Sequence, residues 1–156
     1  MVAALCVAAT DALAACPIEL AVYRDRDGVA GIDFRPAGDG ATVTNAFRMH
    51  VGDRGDLDGF VMWTSDVARP YAMLTHGCPE GDATGDEIAA CTLWEGVVYA
   101  VDASGGVALL PRQGEPAPQR LVLPDLARIM QASPAYAAAG LSGVPFDVFE
   151  LSGCQE

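Results

Sequence analysis

The sequence predicts an α+β fold, mainly antiparallel β: a sandwich or barrel-like sheet with a C-terminal helix packed on it, braced by disulfides. Three observations predict it. Apolar residues recur in short, mostly alternating runs separated by Gly and Asp clusters, the period of half-buried strands joined by turns. Residues 124–140, after the strand-like Leu121-Val122-Leu123, change to helical spacing. Four cysteines remain once an N-terminal export signal is removed, an even set for an oxidising compartment. At 156 residues the chain suits one domain. The expected organisation is a cleaved signal peptide over residues 1–14 and a single globular domain over residues 15–156.

The signal is read from an apolar run at residues 2–9, the polar pair Thr10 and Asp11, and the small-residue pattern Ala12-Leu13-Ala14. No basic residue precedes the run, which predicts a translation start upstream of Met1. The run is too short for a spanning helix, which needs about 20 apolar residues. Two processing patterns overlap here. Leu13-Ala14-Ala15-Cys16 fits lipoprotein processing, whereas Ala12-Leu13-Ala14 fits ordinary cleavage before Ala15.

Three arguments favour ordinary cleavage. Asp11 sits badly in the apolar segment that leads to lipidation. Pro17-Ile18-Glu19-Leu20-Ala21-Val22-Tyr23 enters strand-like sequence at once, where a lipidated cysteine would be followed by a polar tether. Removing the signal also removes Cys6, leaving Cys16, Cys78, Cys91 and Cys154, and lipidation of Cys16 would strand one of the other three. Four cysteines allow three pairings. The preferred one joins Cys78 to Cys91 and Cys16 to Cys154. In the chain-entropy picture these contribute roughly 3 and 4 to 5 kcal/mol. Periplasmic or secreted is the expected location, with lipid anchoring through Cys16 as the alternative.

Strands are expected over residues 18–24, 31–36, 42–51, 59–64, 72–76, 92–102, 107–110, 119–123 and 145–151. The clearest hairpin is WEGVVYAVDASGGVALLP, in which Asp102-Ala103-Ser104-Gly105-Gly106 supplies residues that tolerate positive φ. In CPEGDATGDEIAAC, Thr84 and Glu87 have capping-box spacing, which suits one helical turn inside the disulfide loop. Pro111, Pro116 and Pro118 make residues 112–119 a rigid connector. Pro124 suits the first helical position with Asp125 in the first turn, and Leu126, Ile129 and Met130 follow at helical spacing. Pro134 should break that helix, with a second short one to Gly140.

Composition excludes several functions. Nine Arg, no Lys and 21 acidic residues leave a net charge of -12. That field repels phosphate backbones and anionic headgroups, so no nucleic-acid partner and no membrane insertion after signal removal are expected. The absence of Lys removes Schiff-base and P-loop lysine chemistry. The acidity serves solubility.

The motifs that could carry chemistry are incomplete. Asp25-Arg26-Asp27-Gly28 and the Asp53 to Gly59 turn resemble fragments of calcium loops, which gather carboxylates around a tight glycine turn. An EF-hand frame would place Tyr23 and Phe34, or Arg54 and Ser65, at ligand positions. Asp53, Asp56 and Asp58 are thus weak calcium candidates beside a plain reading as a polar turn. Arg54-Gly55-Asp56 spells an adhesion tripeptide on three letters alone. Assigning Cys78 to a disulfide denies His76 a thiolate for zinc or for a Cys/His nucleophile. Gly140-Leu141-Ser142-Gly143-Val144 lacks the closing glycine of a nucleophile elbow. Glu80, Asp82, Asp86 and Glu87 could pair as glycosidase carboxylates, but on one short loop they read better as a solvated surface and a candidate interaction loop. Trp63, Trp94, Tyr71 and Tyr99 could form a stacking platform; at strand positions they read as core. No catalytic residue, metal site or cofactor is assigned.

The chain resembles a set of small exported bacterial proteins of unknown function. The resemblance rests on Cys16-Pro17, Val22-Tyr23, the Leu93-Trp94 to Tyr99 strand, Leu121-Val122-Leu123-Pro124-Asp125-Leu126-Ala127 and Phe149-Glu150-Leu151-Ser152-Gly153-Cys154. It implies export and the terminal cysteine pairing, and no activity. The functional expectation is a non-enzymatic binding or interaction module of the cell envelope, taking an unknown protein or small ligand through exposed loops. A protein-directed version, such as an inhibitor of a cationic hydrolase, suits the acidic loop between Cys78 and Cys91. The alternative is a small envelope hydrolase with a site around His50 and His76. A concave pocket joining both histidines to a carboxylate would favour the enzyme.

Overall fold

The computed structural model describes residues 15–38, 42–53, 55–64 and 68–156. The expected signal peptide, Arg54 of the tripeptide and Ser65 of the second calcium frame lie outside the described residues. A 3-10 turn, Ile18–Leu20, leads into β1 (Ala21–Asp25), followed by β2 (Ala30–Arg35), β3 (Val43–Val51), β4 (Gly55–Thr64) and β5 (Arg69–Thr75). Helix α1 (Gly85–Cys91) runs directly into β6 (Thr92–Val97), then β7 (Tyr99–Val101), β8 (Val107–Leu109) and β9 (Arg120–Val122). Two short helices, α2 (Leu126–Ala132) and α3 (Ala135–Ala138), precede β10 (Val148–Cys154).

The strands form one sheet in the order β6-β5-β4-β3-β2-β1-β10-β9-β7-β8, antiparallel at every pairing and curled into a half-barrel. Its curvature has a covalent counterpart. β6 ends the order on one side and β7 stands next to its other end, yet only Val98 separates them. One extended stretch therefore pairs β5 through Val97↔Tyr71 and β9 through Tyr99↔Val122.

Strand alternation sorts the side chains. Tyr23, Ile32, Phe34, Phe47, Met49, Leu57, Leu74, Trp94, Leu121 and Phe149 are buried in one core. Tyr23 meets Phe34 edge-on with centroids 5.9 Å apart, and Phe34 meets Phe47 at 5.4 Å. Gly59 pairs with Phe47 across β3 and β4, and a Cβ at Gly59 would overlap the Phe47 ring. The concave face is thus a packed interior rather than a lumen. Leu126 and Met130 of α2 belong to the same core.

The disulfides are Cys16–Cys154, with Cα atoms 5.8 Å apart, and Cys78–Cys91, at 5.2 Å. The first ties ends that already pair, since Ala21 faces Cys154 in the β1–β10 ladder. Such bridges persist in oxidising compartments outside the cytoplasm. No helix among the described residues is long and apolar enough to cross a membrane.

Five local expectations need correction. Residues 18–20 form a 3-10 turn, because Ile18 N–H donates to Glu115 O and Leu20 N–H to Pro17 O instead of to a strand. β4 starts at Gly55, so Asp56 and Asp58 sit in a ladder and not in a turn. The continuous strand over 92–102 is interrupted at Val98, whose side chain is buried. Pro124 and Asp125 lie outside α2: Asp125 is its N-cap in the left-handed region at φ 57. Asp147 accounts for that start, its carboxylate accepting from Asp125 N and Leu126 N at 3.0 Å each. This remote cap satisfies N–H groups that a helix start leaves unpaired. Asp147 serves this corner through its main chain as well, its carbonyl accepting from Leu123 N at 2.8 Å, and β10 begins only at Val148, not at residue 145. The second helix does form, following the break at Ser133 and Pro134 and ending before Gly140, which has φ 62.

Candidate functional site

Two regions gather the residues that sequence reasoning singled out. The first is the convex face of β2, β3 and β4. Antiparallel register sets Asp33 opposite Arg48, Arg48 opposite Asp58 and His50 opposite Asp56. His50 Nδ1 stands 2.7 Å from Asp56 Oδ1, and its Nε2 3.1 Å from Asp33 Oδ2. Asp33 also accepts from Arg24 Nη1 at 2.8 Å. Asp58 accepts from Arg35 at 2.8 Å and Arg48 at 3.2 Å. Partial burial pushes the Asp58 carboxyl up, and the two guanidiniums outweigh it, holding the group below its ordinary range.

His76 reaches the same neighbourhood: its Nδ1 is 3.3 Å from the backbone carbonyl of Asp56. The two histidines thus meet on Asp56, one at the carboxylate and one at the main chain. Among the described residues they line different hollows. His50 borders a hollow of about 190 Å³ with Arg24, Gly31 and Gly52, while His76 borders another of about 330 Å³ with Pro79, Glu87 and Pro134. Both ring nitrogens of His50 are engaged by carboxylates, and among the described residues no hydroxyl or thiol bonds to either histidine.

The calcium candidates are separated in role. On the convex face of β4 Asp58 pairs with Arg35 and Arg48 and Asp56 is hydrogen-bonded to His50, while Asp53 lies in the preceding turn. No three of the His, Cys, Asp or Glu side chains among the described residues are grouped to hold a metal ion. Asp25 of the first calcium fragment is buried and accepts from Ala30 N at 3.1 Å and Phe146 N at 3.4 Å, which makes it a structural acceptor.

The second region is the stapled segment between Cys78 and Cys91. The capping box forms: Thr84 N and Thr84 Oγ1 donate to Glu87 Oε2 at 2.8 Å each, and Glu87 N donates to Thr84 Oγ1 at 3.3 Å. The helix it starts runs for two turns, not one. The bond from the Thr84 backbone, followed by that from its hydroxyl, holds the Glu87 carboxyl below its ordinary range. All four loop acids are exposed, and of them Glu87 is committed to the fold through the capping box.

Beside α1 lies a groove of about 460 Å³, walled by Ile88 and Ala89 on one side and Ile129 and Ala132 on the other, with Met73 and Glu95 on the sheet. Single-residue reasoning missed this groove because its walls come from segments far apart in sequence. The helical spacing of Ile129 was its one legible sign.

The aromatic candidates divide. Trp94 is buried and its Nε1 donates to Pro124 O at 3.2 Å. Trp63, expected in the core, is 38% exposed under the Arg112 guanidinium at 5.4 Å, and Tyr99 OH accepts from Arg69 at 3.0 Å. They do not make a common platform. The chain matches no family model, no curated protein and no solved structure.

Proposed function

We propose that this chain is an exported, non-enzymatic binding module directed at another protein. The observation that carries the reading is an acidic segment fixed at both ends by the Cys78–Cys91 bridge, stiffened by α1 and bordering an open apolar groove. Preorganised loops bind with little ordering cost, and a surface of net charge -12 steers cationic partners toward it. Periplasmic or secreted residence fits two disulfides. With Cys16 Sγ bonded to Cys154, that sulfur has no free thiol to take a lipid, which speaks against anchoring there. The resemblance to small exported bacterial proteins agrees with an envelope setting.

The hydrolase alternative has the Asp33–His50–Asp56 arrangement in its favour. Against it stand the occupied ring nitrogens and the separate hollows of His50 and His76. The test is crosslinking capture by the mature protein, residues 15–156, in its native envelope. Retention of a cationic protein, weakening as salt rises, is the expected result. Hydrolytic turnover by the purified protein that His50→Ala abolishes would replace the binding reading with the enzymatic one.

A further inference from the structure

We infer that the groove between α1 and α2, along the outer side of β6, docks a cationic amphipathic segment of the partner protein. The inference rests on the protein-binding reading above and adds where and what it binds. β6 ends the strand order, so among the described residues no strand pairs its far side. β9 stops alongside Tyr99, and Pro124, which has no N–H to offer a neighbouring strand, turns the chain into α2. Ser133 Oγ donates to Thr92 O at 2.6 Å, closing one end of that side. Leu93, Trp94 and Glu95 then front the groove.

Shape and charge select the occupant together. The walls from Met73, Ile88, Ala89, Ile129 and Ala132 offer apolar burial to side chains a few residues apart. The charged lining residue is Glu95, exposed on β6, and Asp86 stands on the first turn of α1. Among the described residues no cation lines the groove, and Arg128 on α2 pairs with Asp125 at 3.3 Å. An anionic segment would meet like charge at Glu95, whereas Lys or Arg flanking apolar anchors would complement it. The convex face of β2, β3 and β4 lacks this asymmetry because Asp33 and Asp58 already pair with Arg24, Arg35 and Arg48.

The test uses isotope-labelled residues 15–156 and a short peptide of alternating Leu and Arg, with Leu/Glu and Ser/Arg peptides as controls. The Leu/Arg peptide should shift the resonances of Met73, Ile88, Glu95 and Ile129, and the Leu/Glu peptide should not bind. Glu95→Arg should weaken binding about tenfold or more, as like charges now face each other. Ala89→Trp, at an exposed wall position, should abolish it, and Ala132→Trp does the same from the opposite wall if the first variant misfolds. Shifts confined to residues 80–86, or affinity unchanged by a tryptophan in either wall, overturn the groove. In envelope capture, a partner held equally by wild type and Ala89→Trp also overturns the groove while leaving the protein-binding reading intact. If neither form captures a protein, that reading fails by itself, and the peptide mapping still decides the groove.

Discussion

The indole N–H of Trp94 donates to the carbonyl of Pro124 at 3.2 Å, joining the strand at one end of the sheet to the corner where β9 gives way to α2. The bond satisfies a donor that burial would otherwise leave unpaired and fixes the floor of the groove. Trp94→Phe should destabilise the protein by about 1–3 kcal/mol, from the orphaned carbonyl and the volume lost together. Denaturant titration measures this, and an unchanged midpoint would refute the role.

Gly59 is required by the ring opposite it. With Phe47 where a Cβ would project, Gly59→Val should cost about 1–3 kcal/mol by overpacking. Pairing it with Phe47→Leu should recover part of the loss. A thermal melt of the double variant below that of Gly59→Val would contradict this steric account.

Removing the bridges should have unequal effects. The Cys16–Cys154 loop spans 138 residues and the Cys78–Cys91 loop 13. In the chain-entropy picture, Cys16→Ala with Cys154→Ala loses roughly 4 to 5 kcal/mol, against about 3 for the inner pair. Equilibrium unfolding of the two double variants checks the order, and peptide mapping without reductant checks the pairing.

Tyr23 sets an alkaline limit. Burial raises its phenol well above the ordinary 10.0, and its hydroxyl donates to Pro118 O at 2.9 Å. The folded state holds this proton more tightly than the unfolded chain does. Its contribution to stability is therefore complete below about pH 10 and is lost as pH rises above that value toward the folded pKa. Tyr23→Phe should be less stable at pH 7 by about 1 kcal/mol yet show a flatter decline above pH 10. Unfolding followed from pH 7 to 11 separates the two effects.

Asp58 acts in the opposite direction. Its folded pKa is lowered, so its contribution is present above the ordinary carboxylate value and is lost as pH falls through the folded one. The side chain is 56% exposed, and screening limits Asp58→Asn to about 0.2–1 kcal/mol at neutral pH, less in high salt. A loss that grows with added salt would be inconsistent with ion pairing to Arg35 and Arg48.

The legible parts were those with local causes. The capping box of Thr84 and Glu87, the Asp102 to Gly106 reversal and the break at Pro134 each depend on residues within a few positions of one another. Asp102 Oδ1, for example, accepts from Ser104 N and Gly106 N at 2.8 Å each. Asp125 was misread because its helix is capped by Asp147, 22 residues away. Asp56 and Asp58 looked like turn residues because their strand partners, His50 and Arg48, can be assigned only once register is known. The groove was invisible because no single segment supplies both its walls.

By itself the sequence determined an antiparallel, disulfide-braced fold, since strand alternation, turn chemistry and cysteine spacing are properties of neighbouring residues or of simple counts. Only the tertiary structure decided that the sheet curls over the one stretch that holds both β6 and β7. It also decided that His50 stands between two carboxylates and that an apolar groove opens beside an acidic staple. Those features depend on which distant strands share a register and which side chains meet across them, and burial of the common core fixes both at once.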